Sequence, residues 1–206
     1  MVIMQDRTIT KFPGRDDAHP TPVPAEVDPI LPRQDPGMAI WFTGLSSAGK
    51  TTIAREVQRR LAAERLRTEL LDGDSLRENL CGDLGFSKRD RDTNIRRIGF
   101  VAELLARNGV IVLVAAISPY QALREEVRSK IERFAEVYVN APLAVCEQRD
   151  VKGLYKKARS GELRNLTGVD DPYEAPQWPD LECCTDRESV SECAGKVMSL
   201  ILAWRR

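Results

Sequence analysis

The sequence predicts an α/β fold, a parallel sheet covered by helices. Three observations predict it. From residue 38 onward, short apolar runs alternate with longer stretches of helical periodicity. The runs are rich in Val, Ile, Leu and Ala with little polar alternation, as strands buried on both faces are. A glycine-bounded loop joins the first run directly to the first helical stretch.

Met38 to Thr43 (MAIWFT) is the first strand, and the helix after the loop carries Ile53, Val57 and Leu61 at four-residue spacing. Arg67 to Leu71 offers a second strand, Val110 to Ala116 (VIVLVAA) a third, Ala135 to Val139 a fourth, and Leu181 to Cys184 a weak fifth. Helices fill the gaps. The clearest span Ile95 to Arg107, Gln121 to Phe134 and Val190 to Trp204, the last with Val190, Val197, Ile201 and Trp204 along one stripe. Such stripes are core packing.

The 206 residues suit one main domain, placed at 37–206. Seven of the twelve prolines precede Gly37, in a stretch with neither helical nor strand period, so residues 1–36 read as a proline-rich flexible arm. Lys plus Arg and Asp plus Glu both total 31, so no basic field recommends a nucleic acid or an anionic membrane as partner. The single histidine, His19, lies in the arm, which excludes multi-histidine metal sites and disfavours a Ser-His-Asp triad. Five cysteines without a Cys-x-x-Cys pair argue against a disulfide framework or zinc ribbon, and the vicinal Cys183 and Cys184 read as small buried residues. The longest apolar run, Val110 to Ile117, is far short of the roughly 20 residues that span a bilayer. A cytoplasmic protein is expected.

Gly44 to Thr51 reads GLSSAGKT and fits G-x-x-x-x-G-K-[ST] between a predicted strand and a predicted helix, the context this phosphate-binding motif requires. Gly44 and Gly49 allow the backbone of Leu45, Ser46, Ser47 and Ala48 to turn its N–H groups toward one point, where the helix dipole adds positive potential. Lys50 reaches the terminal phosphates, and the Thr51 hydroxyl is the candidate ligand of Mg²⁺. No Asn-Lys-x-Asp base-reading motif accompanies the loop, and the VIVLVAAIS run ends in serine rather than the acidic residue of an ATPase motor. A small-molecule kinase using ATP is the class that remains.

The second strand runs into LLDGDSLRENL, which brings Asp72 and Asp74 to the carboxyl end of the sheet, where ligands gather. Asp74 suits acceptance of a hydroxyl proton, and capping of the next helix is its structural alternative. Arg77, Arg89, Arg91, Arg96 and Arg97 follow, with Asn94 among them and Phe86 nearby. They read either as a solvated charged face or as a berth for an anionic acceptor that carries a ring. Arg149 to Gly168, with Lys152, Lys156, Lys157 and Arg159 between glycines, reads as a mobile lid or a basic exposed helix.

Beyond these separate signals, FTGLSSAGKTT, LDGDSLRENL, DLGFS, the DR and NIRR segments, ISPY, EVYVNAP, RDVKGLYKKAR and TGVDDPYEAP stand in one order. In that order they resemble the adenylylsulfate kinase (APS kinase) family from Met38 to the C-terminus. The resemblance implies a P-loop kinase fold with a five-stranded parallel sheet, a lid at 152–167 and a homodimer. It implies ATP-dependent phosphorylation of the 3′-hydroxyl of adenosine 5′-phosphosulfate in sulfate assimilation. Carried onto matching positions, Arg77, Arg91 and Asn94 grip the acceptor nucleotide, Phe86 stacks on its adenine, Ile117 and Ser118 line its pocket, and Lys152 comes from the lid. Arg149 corresponds to the residue that packs on the ATP adenine. Ser47 stands where a glycine is frequent, Val151 where a proline is, and Leu166 where some members place a second aromatic against the acceptor. Ser118 has two readings. The family includes a proposed phosphoserine there, whereas Ser118-Pro119 also looks like a helix cap followed by a first helical proline.

The alternatives to this activity are a P-loop kinase of another small metabolite and a nucleotide-binding regulatory domain without transfer.

Overall fold

A computed structural model describes residues 37–205. The predicted arm, with His19, lies outside the described residues. Five strands are present: β1 (Met38–Thr43), β2 (Thr68–Asp72), β3 (Ile111–Ala115), β4 (Phe134–Asn140) and β5 (Leu181–Cys184). They form one parallel sheet in the order β2-β3-β1-β4-β5. Central β1 and β3 are buried throughout, as strands covered on both faces must be.

Alternation along β1 divides the core. Met38, Ile40 and Phe42 point to one face, where they join Ile53, Val57 and Leu61 of α1 (Lys50–Ala63) and Val197 and Ile201 of α7 (Val190–Trp204). Ala39 and Trp41 point to the other, against Ile95, Ile98 and Ala102 of α3 (Lys88–Arg107) and Leu123 and Val127 of α4 (Gln121–Arg128). Three short helices, α2 (Gly73–Asn79), α5 (Leu143–Arg149) and α6 (Leu154–Arg159), rim the sheet.

The strand expectations hold to within a residue at each end, and the weak fifth strand is real. Two helices differ. Helix α3 begins seven residues before Ile95, because Ser87 accepts from the Asp90 amide and caps a polar first turn that apolar periodicity does not reveal. Helix α4 ends at Arg128 instead of reaching Phe134, which opens β4 and stacks on Trp41 with ring centroids 5.8 Å apart. On the α7 stripe, Val197 and Ile201 are buried and Trp204 packs against the core, but Val190 is exposed in the first turn. Ser189 and Glu192 form a reciprocal capping box there, so Val190 needs no partner to start the helix.

Candidate active site

The phosphate loop leaves β1 at Gly44, whose φ is +150° and whose added Cβ would lie 2.4 Å from the Val139 carbonyl oxygen. No side chain fits there. Ser47 (φ +59°) and Gly49 (φ +107°) continue the left-handed turn, and Gly49 begins α1 without a side-chain cap. The first N–H groups of α1 are therefore left for an anion. Lys50 folds back to donate to the carbonyls of Gly44 (2.9 Å) and Leu45 (2.7 Å). Burial pulls its ammonium down to about 8, with Lys152 adding to the fall and Cys146, Asp74 and Asp72 opposing it.

Two side chains not singled out from the sequence brace this loop. Tyr155 of α6 is buried and its hydroxyl donates to the Ser46 carbonyl at 3.0 Å. Thr185, just past β5, donates from Oγ1 to the Ala48 carbonyl at 2.7 Å and accepts from Arg149 at its own carbonyl at 2.6 Å. Arg149 thereby lies on the loop, 3.4 Å from the Ala48 oxygen. An aromatic inside a basic run was the available signal for Tyr155. Thr185 carried none, because only the sheet order brings β5 beside the loop.

Asp72 and Asp74 separate into two jobs. Asp72 is the N-cap of α2 and accepts from the Asp74 amide at 3.0 Å, so the capping reading belongs to Asp72. Asp74 keeps an exposed carboxylate that pairs with Lys152. Arg77 holds its guanidinium 4.4 Å from the centre of the Phe86 ring and donates to the Gly85 carbonyl at 2.9 Å. Phe86 itself is 57% exposed, an apolar ring offered to solvent.

Three of the remaining four arginines, Arg91, Arg96 and Arg97, are spoken for. Arg91 donates to the Phe86 carbonyl (3.0 Å), to Asp171 (2.9 Å), to Thr167 and to the Asn165 carbonyl, tying α3 to the end of the predicted lid. Arg96 pairs with Glu126 and Arg97 with Asp83, so these two belong to the charged-face reading. Asn94 has a buried Oδ1 without a hydrogen-bond partner among the described residues. A buried amide oxygen in that state costs free energy that a ligand donor would recover.

Ile117 and Ser118 follow β3. Thr43 donates to the Ile117 carbonyl at 2.6 Å. Ser118 is buried at φ +48°, and its Oγ accepts from Trp41 Nε1 at 2.9 Å. The capping reading of Ser118 fails: Tyr120 is the N-cap residue of α4, and the Glu174 carboxylate accepts from the Gln121 amide at 2.7 Å. Leu166 is 7% exposed and packs in the α1-side core cluster. Cys183 is buried and Cys184 half-buried.

The Thr51 hydroxyl, on the first turn of α1, has no side-chain hydrogen bond among the described residues, which fits a Mg²⁺ ligand. Asp74, with its exposed carboxylate, is the nearby candidate to hold a metal-bound water. Loop, carboxylate and arginine-backed ring therefore assemble at one end of the sheet.

A family model described as adenylylsulphate kinase matches residues 36–184. A probable adenylyl-sulfate kinase of Synechocystis is 63% identical over 164 residues, covering 80% of this chain and 93% of that relative. The adenylyl-sulfate kinase of Halothermothrix orenii is 57% identical over 169 residues, 82% of this chain and 91% of its own. Among solved structures, the Mycobacterium tuberculosis APS kinase in complex with AMPPNP and APS superposes with a TM-score of 0.77 at 47% identity, covering 80% of this chain and 97% of that one. Shikimate kinase from Acinetobacter baumannii, 23% identical with a TM-score of 0.57 over 82% of this chain and 95% of that one, shares the fold. With the matched residues running from the start of β1 through the end of β5, this chain belongs to the adenylylsulphate kinase family.

Proposed function

We propose that this chain transfers the γ-phosphoryl group of ATP to the 3′-hydroxyl of adenosine 5′-phosphosulfate, giving 3′-phosphoadenosine 5′-phosphosulfate and ADP for sulfate assimilation. The observation that carries the reading is Asp74. Its exposed carboxylate is paired with Lys152 and is close enough to raise the proton affinity of buried Lys50. A carboxylate facing a phosphate cradle is what a phosphoryl transfer to an alcohol needs, since the attacking oxygen must lose a proton as it attacks.

The other residues divide the work. Main-chain amides of Gly44 to Gly49 and the Lys50 ammonium hold the triphosphate, and Arg149 borders the donor base. Bound Mg²⁺, held by Thr51, would neutralise charge on the β- and γ-phosphates. Arg77, backed by Phe86, and the unpaired Asn94 oxygen face the acceptor nucleotide, with Ile117 and Ser118 as its wall. Arg91 acts here chiefly by setting the Phe86 loop. Ser118 suits a pocket role better than a covalent one, because its oxygen is buried beneath Trp41.

The segment Lys152 to Thr167 is proposed to close over both substrates and exclude water, its base fastened at Tyr155. We assign residues 37–206 to the kinase domain and 1–36 to an arm. The chain is proposed to work in the cytoplasm as a homodimer, and Phe100 of α3, 60% exposed, is apolar surface that self-association would cover. Among the described residues, no helix is long and apolar enough to cross a membrane.

The test is ADP release measured with and without adenosine phosphosulfate, together with identification of the 3′-phosphorylated product. ATP consumption that ignores the sulfonucleotide would overturn the assignment.

A further inference from the structure

Behind the acceptor wall lies a buried arginine that the reaction does not touch. Arg124 of α4 is 3% exposed, and each of its three nitrogens is used. Nε donates to Glu136 Oε1 of β4 at 2.6 Å, Nη1 to the Ser118 carbonyl at 2.8 Å, and Nη2 to the Glu174 carbonyl at 2.8 Å. One planar group thereby joins a central strand, the β3–α4 loop and the segment that carries Asp171 and Tyr173.

The loop it holds is conformationally demanding. Ser118 sits at φ +48°, a region that costs a non-glycine residue free energy and persists only where neighbours over-determine it. Its neighbours do so from several sides. Trp41 holds the side chain, Arg124 the carbonyl, and Thr43 the adjoining Ile117 carbonyl while sharing a hydrogen bond with Tyr173 at 3.0 Å. Glu174, gripped by Arg124 through its carbonyl, also caps α4 through its carboxylate. Removing Arg124 would release both the wall and the start of the helix behind it.

We propose that Arg124 is a positioning residue for the acceptor. Its guanidinium, aligned by Glu136, fixes the Ile117–Ser118 wall against which the sulfonucleotide binds, and so sets acceptor affinity without contacting either substrate. Glu136 supplies the alignment, because its bond to Nε fixes the plane in which Nη1 and Nη2 reach the two carbonyls. A lysine has a single ammonium and no such plane, so it cannot reproduce the three directions. The inference rests on the reading of Ile117 and Ser118 as acceptor wall.

The experiment compares Arg124→Lys, Arg124→Met with Glu136→Leu as a double variant, and Ile117→Ala, all assayed at a temperature where circular dichroism shows them folded. The double variant matters because Arg124→Met alone would leave the buried Glu136 carboxylate with only Arg128 at 3.9 Å, whereas an apolar pair avoids that buried charge without restoring the hydrogen bonds to the Ser118 and Glu174 carbonyls. Arg124→Lys and the double variant are each expected to raise the KM for adenosine phosphosulfate about tenfold or more, the loss of one charge-assisted hydrogen bond. The KM for ATP stays within about twofold, since Tyr155 and Thr185 brace the phosphate loop at Ser46 and Ala48, and the loop's own link to the wall is a long 3.5 Å hydrogen bond from the Gly44 amide to the Ile117 carbonyl. A purely structural arginine would instead lower the melting temperature and leave both KM values unchanged in the folded fraction, which overturns the proposal. If Ile117→Ala raises the acceptor KM while the Arg124 variants do not, the positioning role alone fails. If none of the three changes it, the wall assignment fails as well.

Discussion

Raising the pH above 8 should weaken nucleotide binding through one residue, Lys50. Its ammonium is surrounded by protein and faces the carbonyls of Gly44 and Leu45, and burial lowers it from 10.5 to about 8. That fall corresponds to about 3 kcal/mol of penalty for keeping the charge in the unliganded protein. A triphosphate removes the penalty by supplying opposite charge, so the bound lysine stays protonated. Above pH 8 binding must then take up a proton, and the Kd of a Mg²⁺-complexed, non-hydrolysable ATP analogue should rise about tenfold per pH unit. Titration calorimetry between pH 7 and 9.5, in buffers of different ionisation enthalpy, should show an uptake of about half a proton at pH 8, approaching one at pH 9. Lys50→Met should bind weakly and lose the slope. A wild-type Kd that is flat to pH 9.5 with no proton uptake would refute the reasoning. The same shift has a consequence for folding. Between pH 8 and 10.5 the unfolded chain holds a proton on Lys50 that the folded chain has released, so this residue's contribution to stability rises with pH across that window. Below pH 8 its penalty is present in full.

Asp74→Ala should lower kcat about a hundredfold to ten-thousandfold while leaving nucleotide affinity nearly unchanged, and a loss below about tenfold in the ADP-release assay would remove Asp74 as proton acceptor. Gly44→Ala, which drives a methyl against the Val139 carbonyl at positive φ, should cost more than about 2 kcal/mol, read as a fall in melting temperature. An unchanged melting temperature would contradict the contact. Tyr155→Phe removes the donor to the Ser46 carbonyl and should cost about 1 to 2 kcal/mol in urea denaturation. It should also raise the KM for ATP, because Ser46 lies within the phosphate cradle.

Much of the site was legible because its chemistry is local. The spacing of Gly44, Gly49, Lys50 and Thr51 specifies a loop between a strand and a helix, and the loop's geometry follows from the steric freedom of glycine. Asp74 was legible by its place after β2. Where two carboxylates or five arginines stand close in sequence, local pattern does not apportion their roles. Asp72 took the cap and left Asp74 free. Arg96 and Arg97 went to ion pairs with Glu126 and Asp83, 30 and 14 residues away, while Arg77 stayed beside Phe86.

By itself, the sequence determined the α/β class, the strands to within a residue at each end, the phosphate loop and, through the order of its motifs, the family. Those properties depend on periodicity and on near-neighbour spacing, which a linear chain displays. Only the tertiary structure decided that Ser118 lies beneath Trp41 at positive φ, that Leu166 is core, and that Thr185, Tyr155 and Arg124 brace the two sides of the site. Each of these joins segments brought together by the β2-β3-β1-β4-β5 order or by the helices packed on it. A contact between residues 77 or 109 positions apart leaves no periodic trace in the chain.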